Sequence, residues 1–294
     1  MWRRPHFTAG SGLRSLPGQQ EGKVRPRAHV IVGGYPPGAP SGHDHDYARL
    51  RILEFLAEQE IHASTSNDFE DVEKWLPISS LLVTYTAGPY AAREQAVAIR
   101  RWMEAGGRWL GLHGTSGGKA ARIDPSGRRR QMIKLDHHEA LGGFFINHPP
   151  VRRFEVKVHA SDDGLTNGLP TAFEVIDEPY MVEVLDPATT QVLLTAELGP
   201  DSSPPGFGFE YEKDTALLAD GKTRVMGYTK EIGKGGVTYV ALGHAHTPST
   251  NSQPFVDKSV HPEGKTPPVL RATWETGAYQ SLLRNGIAWG TRTN

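Results

Sequence analysis

The sequence predicts an α/β fold, built on a mostly parallel sheet that helices cover on both faces. Two observations support this prediction. Apolar runs alternate with helical patterns through residues 28–112, and the runs after about residue 150 change to strict alternation of apolar and polar residues. Uninterrupted apolar runs are typical of parallel strands, whereas alternation is typical of antiparallel strands with one face in solvent. The predicted architecture is therefore a parallel sheet with antiparallel additions.

The first half of the chain alternates strand and helix, as a parallel sheet requires. A helix is expected at residues 47–60, with Leu50, Leu53 and Ala57 on its buried face, and another follows Pro89. The apolar side chains of this second helix recur at helical spacing and are Ala92, Ala96, Ile99 and Met103. The strands predicted around these helices are residues 28–32, 61–66, 80–85 and 109–112.

The second half is predicted to extend the sheet with half-buried strands. Phe154, Val156 and Val158 alternate with Glu155 and Lys157, which places the apolar side chains on one face. Further strands are expected at residues 192–196, 224–228 and 237–242, and a closing helix at 276–289. Long loops at 115–135, 198–222 and 248–273 are rich in Gly, Pro and charge, and loops of this length usually form lids or interfaces.

Composition limits the class of protein and its partners. The 294 residues suit one decorated domain over residues 28–294, preceded by a basic leader at 1–27 that we expect to be disordered. A formal net charge of −1 gives no reason to expect nucleic acid or a membrane as partner, which leaves small molecules. The absence of cysteine excludes disulfides, thiolate ligands and a cysteine nucleophile. Without an apolar run of about 18 residues, a cytoplasmic location is expected.

Histidines follow three of the predicted strands, at the position where open α/β sheets keep their chemistry. They are His113 after the fourth strand, His244 and His246 after the last strand, and the run His43-Asp44-His45-Asp46 after the first. Because the carboxyl ends of parallel strands meet at one edge of a sheet, these side chains predict one shared pocket.

Residues 111–115 have the form of a strand-to-helix elbow, a sharp turn whose small residues hold one side chain above the sheet. Hydrolases place a serine at this position. This chain places His113 there, which can act as base, acid or metal ligand but is rarely a nucleophile. Thr115 and Ser116 are expected to offer hydroxyls to a polar ligand. A helix cap followed by a turn is the alternative interpretation.

Two acidic segments are candidates for the same pocket, and each has a structural alternative. His45 and Asp46 lie in the loop after the first strand, although Asp44 or Asp46 can instead cap the helix that follows. Glu178 and Tyr180 follow a further predicted strand, where they could orient a histidine or bind sugar hydroxyls. The same two residues could equally form a solvated turn.

The remaining histidines differ in context. His148 lies in an irregular turn between glycines and prolines. It is interpreted either as a site residue or as a loop histidine whose hydrogen bonds are made locally. His244 and His246 could chelate one cation if their segment is extended, and in a turn only one of them would face the pocket. His137 and His138 lie beside acidic residues at a polar helix start and are expected at the surface.

At these residues the chain resembles the trehalose-utilisation or ThuA-like family. The matching segments are HDHDY at 43–47, GLHG at 111–114, LGGFFINHP at 141–149, GLPTAFEVIDEPY at 168–180, VLLTAE at 192–197 and YTKEIGKGGVTYVALGHAHT at 228–247. The resemblance implies a flavodoxin-like three-layer α/β/α sandwich, the fold of class I glutamine amidotransferases. It also implies a pocket lined by His113, His148 and His244, with Asp46 and Glu178 near. Amidotransferase chemistry is then lost, because a histidine stands at or near the position of the nucleophilic cysteine.

The resemblance associates the chain with trehalose and related disaccharides, including keto forms. The leading hypothesis is an enzyme that carries out hydrolysis, elimination or isomerisation at a carbon next to the carbonyl of such a sugar. His113 would be the proton acceptor, and His244 or His148 the proton donor or polarising group. A divalent metal is a variant of this hypothesis. His113, His148, His244 and Asp46 could bind zinc or another transition ion, which would polarise a carbonyl.

Two other classes stay open. A non-catalytic sugar-binding or regulatory protein could keep such a pocket after losing the nucleophile, and a structural protein could use its histidines only to close loops. Consumption of a carbohydrate distinguishes the enzyme from both. The stretch 251–273 and the basic run 128–130 are expected to reshape the pocket or to build the interface of a homo-oligomer.

Overall fold

The computed structural model of the protein describes residues 26–33, 42–127, 129–159 and 164–292. Residues 1–25 of the predicted leader lie outside the described residues. The last residue of that leader, Arg27, is the first residue of the first strand.

Strands and helices alternate along the described chain. The strands that come before residue 150 are β1 (Arg27–Gly33), β2 (His62–Ser66), β3 (Leu81–Thr86), β4 (Arg108–Leu112), β5 (Lys119–Arg122), β6 (Arg130–Ile133) and β7 (Gly143–Asn147). Those that follow are β8 (Arg152–Val158), β9 (Ala172–Asp177), β10 (Met181–Val184), β11 (Thr190–Glu197), β12 (Thr223–Ile232) and β13 (Gly235–Val240). The helices are α1 (His45–Glu58), α2 (Val72–Trp75), α3 (Arg93–Glu104), α4 (His137–Leu141), α5 (Ala272–Glu275) and α6 (Gly277–Gly290). Each predicted strand overlaps an observed one.

Within the described residues, nine strands form one sheet in the order β2-β1-β3-β4-β13-β12-β11-β8-β9. The pairings from β2 through β13 are parallel, and those from β13 through β9 are antiparallel. The parallel part has the flavodoxin-like order, which reverses between β1 and β3. Ligands of such sheets bind beyond the carboxyl ends of the strands at the reversal. The predicted sheet, mostly parallel with antiparallel additions, is confirmed.

Helices cover both faces because successive side chains of a strand point to opposite sides of the sheet. Val30 packs in one apolar cluster with Ile52 of α1 and Ile287 of α6. The next residue, Ile31, packs in a second cluster with Ile99 of α3. Burial of these apolar side chains stabilises the two layers on the sheet by about 25 cal/mol per Å² removed from water. The result is the three-layer sandwich that the resemblance implied.

Helix α1 turns a different face to the sheet from the one predicted. Its buried residues are Ala48, Ile52, Phe55 and Leu56. Leu50 is 54 % exposed, Ala57 is exposed and Leu53 is half-buried. Both sets have helical spacing, but the observed face removes a phenylalanine and an isoleucine from water, which stabilises more than burial of Ala57 would.

The second half of the chain alternates as predicted, and one predicted loop contains strands. In β8, Phe154 and Val156 are buried while Glu155 and Lys157 are exposed, which confirms the one-sided strand. The segment 115–135 was expected to be a loop, and the structure instead pairs β5 with β6 as an antiparallel hairpin. Along the described parts of the chain, no helix is both long and apolar enough to cross a membrane.

Candidate functional site

A carboxylate surrounded by imidazoles lies beyond the carboxyl ends of the parallel strands. Glu178 Oε2 lies 3.2 Å from His113 Nε2 and 3.6 Å from His43 Nε2, and its Oε1 lies 3.2 Å from His244 Nδ1. One donor atom from each of these four residues lies within 4.8 Å of the other three. We call His43, His113, Glu178 and His244 the four-residue cluster. It joins the segments that follow β1, β4, β9 and β13.

The turn after β4 aims His113 into the cluster. His113 has a φ of +44°, a backbone conformation that residues other than glycine rarely adopt. A Cβ on the next residue, Gly114, would lie 2.3 Å from the backbone oxygen of Thr86, so only glycine fits. The Nδ1 of His113 lies 2.7 Å from the carbonyl oxygen of Ala241 and donates to it. This bond leaves Nε2 directed at Glu178.

Asp177, the last residue of the edge strand β9, forms hydrogen bonds with the segment that follows the central strand β13. The buried carboxylate of Asp177 accepts hydrogen bonds from the backbone N–H groups of Gly243 at 2.8 Å and His244 at 2.9 Å. Burial raises the pKa of Asp177. Because Glu178 is the next residue, these bonds fix both Glu178 and His244 relative to each other.

The imidazole of His244 continues into a second histidine. Its Nε2 lies 2.8 Å from Nδ1 of His246, and Nε2 of His246 lies 2.8 Å from the carbonyl oxygen of Pro267. Gln253, from the same long segment as Pro267, donates through Nε2 to Oε1 of Glu178. The segment 251–273, predicted to reshape the pocket or to build a subunit interface, therefore supports two members of the four-residue cluster.

Charge within the cluster favours an ionised carboxylate on Glu178. Burial acts to raise the pKa of Glu178, but the imidazoles of His148, His244 and His113 outweigh it and hold that pKa well below its usual range. Burial acts to lower the pKa of His113, but close contact with Glu178 outweighs it and the pKa is raised. Burial lowers the pKa of His244 to about 3, so this ring is neutral near pH 7.

Three atoms of the cluster are buried without any hydrogen-bond partner: His113 Nε2, Glu178 Oε2 and His244 Nδ1. Leaving buried polar atoms unpaired costs free energy, and such groups in a native structure call for an explanation. Zinc takes histidine nitrogen and carboxylate oxygen at 2.0–2.2 Å, so that tetrahedral ligand atoms lie about 3.4 Å apart. The spacing and chemistry of the cluster fit a metal ion, and these residues could hold one.

A cavity of about 440 Å³ opens onto the cluster and reaches the size of small-molecule sites. Aromatic residues form much of its wall, namely Tyr90, Phe145, Tyr180, Phe207 and Phe209. Polar side chains at its surface include His43, Arg130, His148, Glu178 and Gln253. An aromatic wall with a few convergent polar groups is the usual form of a site for a small polar ligand.

Several of the predicted site residues lie together. His113, His244 and Glu178 belong to the four-residue cluster. The ring of Tyr180 stacks on that of His113 at 4.1 Å, and the phenol lines the cavity. His148 also lines the cavity, with Nε2 3.7 Å from Glu178 Oε1, outside the group whose atoms are close enough to share an ion.

The acidic run after β1 was assigned to the wrong residues. Asp46 is exposed in the first turn of α1 and takes no part in the cluster, so its predicted metal and substrate roles lack the required position. His45 lies beside Tyr85, with rings 5.7 Å apart, and does not line the cavity. Asp44 is the helix cap and accepts from the backbone N–H of Tyr47. His43, just before this cap, is the residue of the run that joins the cluster.

The hydroxyls of Thr115 and Ser116 do not face the cavity. Thr115 donates to the carbonyl oxygen of Thr84 at 2.9 Å, and Ser116 bonds the Tyr239 hydroxyl at 2.7 Å. Both side chains are buried and hydrogen-bonded within the fold, and neither lines the cavity. His246, another predicted substrate contact, is buried behind His244.

His137 and His138 were predicted at the surface, and both are buried. Nε2 of His137 lies 3.2 Å from the carbonyl oxygen of Thr115, and Nε2 of His138 lies 3.0 Å from those of Ser116 and Gly117. Donors are needed here because the short turn after β4 leaves its carbonyl groups without helical partners. The pair therefore holds the turn that carries His113.

Comparisons with known proteins agree with this architecture. The family model described as trehalose utilisation, ThuA, matches residues 39–259. A ThuA-like protein from Bacteroides uniformis is 15 % identical with a TM-score of 0.60, covering 94 % of this chain and 95 % of its own. One from Parabacteroides merdae is 14 % identical with a TM-score of 0.54, covering 91 % and 90 %. A glutamine amidotransferase from Thermotoga maritima, 12 % identical over 74 % and 75 % of the chains, has a TM-score of 0.41, too low to argue from.

No curated protein matches the chain in sequence. The two ThuA-like structures support the fold alone, since their identities to this chain are low. The family model, in contrast, covers most of the chain, including His43, His113, Glu178 and His244. The protein belongs to the trehalose-utilisation, or ThuA, family.

Proposed function

We propose that the protein is an enzyme of carbohydrate metabolism whose four-residue cluster binds a divalent transition ion, with zinc as the first candidate. The observation that carries the proposal is the set of three buried, unpartnered atoms that face one another, His113 Nε2, Glu178 Oε2 and His244 Nδ1. A bound cation would satisfy all three at once. Imidazole nitrogen with one carboxylate oxygen is a donor set that suits zinc and its transition-metal neighbours.

The substrate class proposed is a sugar with a carbonyl group, such as a keto-disaccharide. Its rings would pack against the aromatic wall of the cavity, with the carbonyl directed at the cluster. When bound, the ion would supply Lewis acidity at that oxygen. His148 lies on the cavity wall within reach of the cluster, which suits it to accept or return a proton on the substrate.

The proposal also names the class of partner, the cellular location and the oligomeric state. The partner is a small-molecule carbohydrate, with neither nucleic acid nor membrane involved, and the location is the cytoplasm. The near-zero net charge supports this choice of partner. A homo-oligomer is part of the proposal only through the basic run 128–130 and the segment 251–273; Arg129 and Arg130 are exposed, and the second segment carries some exposed side chains.

Elemental analysis of the purified, untagged protein tests the metal. We expect about one equivalent of a transition ion in the wild type, and its loss in His113→Ala and in Glu178→Gln. His159→Ala is the matched control, because His159 is exposed and bonds Thr195 away from the cluster. A protein that takes up no metal after loading with zinc, manganese, iron or nickel would contradict the proposal.

Turnover is measured separately, on neutral and keto-disaccharides, with product detected by mass spectrometry. The enzyme should consume at least one of these sugars, and His113→Ala should abolish consumption while the fold is retained. Thermal stabilisation by a sugar without any product would instead identify a sugar-binding protein, which is the alternative function.

A further inference from the structure

We propose that His246 is a positioning residue that fixes the tautomer of His244, so that the Nδ1 lone pair of His244 faces the four-residue cluster. The inference rests on the proposed metal site and adds a residue to it. His246 does not reach the cavity and lies behind His244 as seen from the cluster. Its contribution is the choice of which nitrogen of its neighbour carries the proton.

The order of donors and acceptors leads from a backbone carbonyl to the cluster. A carbonyl oxygen only accepts, so Nε2 of His246 must carry a proton to bond Pro267 at 2.8 Å. A neutral His246 then has its lone pair on Nδ1, which accepts from Nε2–H of His244 at 2.8 Å. His244 is left with a lone pair on Nδ1, 3.2 Å from Glu178 Oε1. Two acceptors face each other at that distance, an arrangement that a cation stabilises.

The same device fixes the other buried imidazole of the cluster. His113 donates Nδ1–H to the carbonyl oxygen of Ala241, and its Nε2 therefore presents a lone pair to Glu178 when the ring is neutral. Histidines that bind metals usually donate their other ring N–H to a carbonyl, carboxylate or water, which fixes the tautomer and orientation. For His113 this partner is direct, and for His244 it is reached through His246.

Backbone pairing holds the relay in place. His246 and Leu270 exchange two hydrogen bonds, N–H to carbonyl in both directions, at 2.9 and 3.0 Å. This bridge places Pro267, three residues before Leu270, against the imidazole of His246. Side chains of His244 and His246 are both fully buried, so neither ring has water as an alternative partner.

The alternative protonation state is the one the proposal excludes. If His246 were a cation, its Nδ1–H would donate to Nε2 of His244, and His244 would donate Nδ1–H to Glu178. The cluster would then be a hydrogen-bonded ion pair with one lone pair fewer to offer a metal. The two states differ in where a single proton lies on His244, and this position can be measured.

Nuclear magnetic resonance of the zinc-loaded protein measures it directly. In protein labelled with ¹⁵N in histidine, we expect the His244 ring to be protonated at Nε2, with its signals assigned by their absence in His244→Gln. Protonation at Nδ1 in the wild type would overturn the proposal. The protein is loaded with zinc because, without a cation, a proton on Nδ1 would relieve the contact between His244 Nδ1 and Glu178 Oε1.

Zinc affinity, measured by competition with a chromophoric chelator, tests the consequence. His246→Phe removes the acceptor and should weaken zinc binding about 10–100-fold. His246→Asn keeps an acceptor oxygen near the position of Nδ1 and should bind zinc nearly as the wild type does. His159→Phe controls for loss of a histidine elsewhere.

Equal affinity in wild type and a folded His246→Phe would overturn the proposal. If His246→Phe does not fold, the tautomer of the wild type decides. A wild type that binds no zinc contradicts the proposed function alone.

Discussion

His113 is the residue on which the geometry of the site depends. Its positive φ is held by contacts on both sides of the backbone, since Nδ1 donates to Ala241 and the Tyr239 hydroxyl donates to the carbonyl oxygen of His113 at 2.8 Å. A non-glycine residue in the left-handed region costs roughly 1–3 kcal/mol and persists where the surroundings fix it. The conformation supports a functional role for this turn, because it directs Nε2 at Glu178.

Gly114→Ala should disable the site through the backbone. A Cβ at residue 114 would lie 2.3 Å from the Thr86 oxygen, so the turn must move and His113 must leave the cluster. We expect loss of bound metal and a destabilisation of about 2 kcal/mol, as for other overpacked sites. Chemical denaturation and elemental analysis measure the two effects.

Gly277→Ala is the matched control for this substitution. Gly277 lies in the first turn of α6 with no atom within 4 Å of an added Cβ, and it has no positive φ. This variant should retain its metal and be as stable as the wild type or slightly more so, because alanine favours helix. Full metal content in Gly114→Ala would show that the turn tolerates a side chain and would contradict the argument.

Sequence reasoning found His113, His244 and Glu178 but chose the wrong residue from the run after β1. Histidines and aspartates alternate there, so residue types alone do not separate a ligand from a helix cap. Asp44 takes the cap, which turns Asp46 outward on α1 and leaves His43 beside the cluster. That choice depends on the angle at which the chain enters the helix, a tertiary property.

At the scale of elements, the segment 198–222 carries part of the cavity wall. Phe207 and Phe209 lie in it and line the cavity. The segment is fixed to β12 by Arg224, which is 2 % exposed, bonds both carboxylate oxygens of Asp214 at 3.0 and 2.6 Å, and donates to Gly199 at 3.0 Å. One buried guanidinium therefore links the start of the segment, at Gly199, to its interior, at Asp214.

Asp214→Ala should destabilise the protein by about 3 kcal/mol, because it leaves the buried guanidinium of Arg224 without its counterion. The loosened segment should also become the first site of limited proteolysis. Glu210→Ala breaks the pair with Arg129, whose side chains are 43 % and 60 % exposed, and should change stability far less. Denaturant unfolding compares the two variants, and equal effects would show that the Arg224 pair does not anchor the segment.

The elements that the sequence predicted well are those with one consistent pattern. Helix α3 buries Ala96, Ile99 and Met103 as predicted, because its other positions are mostly polar, whereas Ala92, predicted on the same face, is the exposed N-cap. Helix α1 is apolar at several angles around its axis, so packing against the sheet and α6 selects the buried face. The hairpin of β5 and β6 has only intermediate and exposed residues, and no apolar pattern marks it as strand.

At the scale of the molecule, the site joins the two halves of the sheet. The parallel half supplies His113 and His244 at its carboxyl edge, and the antiparallel half supplies Glu178 beyond its last strand, β9. Asp177 closes the arrangement by binding the backbone of Gly243 and His244. Sequence patterns predict each strand. That the segment after the edge strand β9 lies against the segment after the central strand β13 depends on long-range packing, which these patterns do not show.

Stability of the whole molecule should depend on pH through histidines that are buried as neutral rings. His29 in β1 is an example away from the cluster, with its side chain fully buried, stacked on Trp75 and bonded to Ser64 at 2.9 Å. Burial lowers the pKa of His29 to about 4, below the value of about 6.5 expected in the unfolded chain. Between these values the unfolded state binds a proton that the folded state does not, so stability falls as pH falls through this window.

His29→Gln should therefore weaken the loss of stability between pH 6.5 and pH 4, with about one proton fewer taken up on unfolding. The measurement is the free energy of unfolding in urea at half-unit pH steps, on metal-free protein so that release of a metal ion at low pH does not contribute. His62→Gln, on the neighbouring strand β2, controls for loss of an exposed imidazole. The same pH slope in His29→Gln as in the wild type would mean that the His29 ring becomes protonated within the fold, and that burial in the core does not keep it neutral.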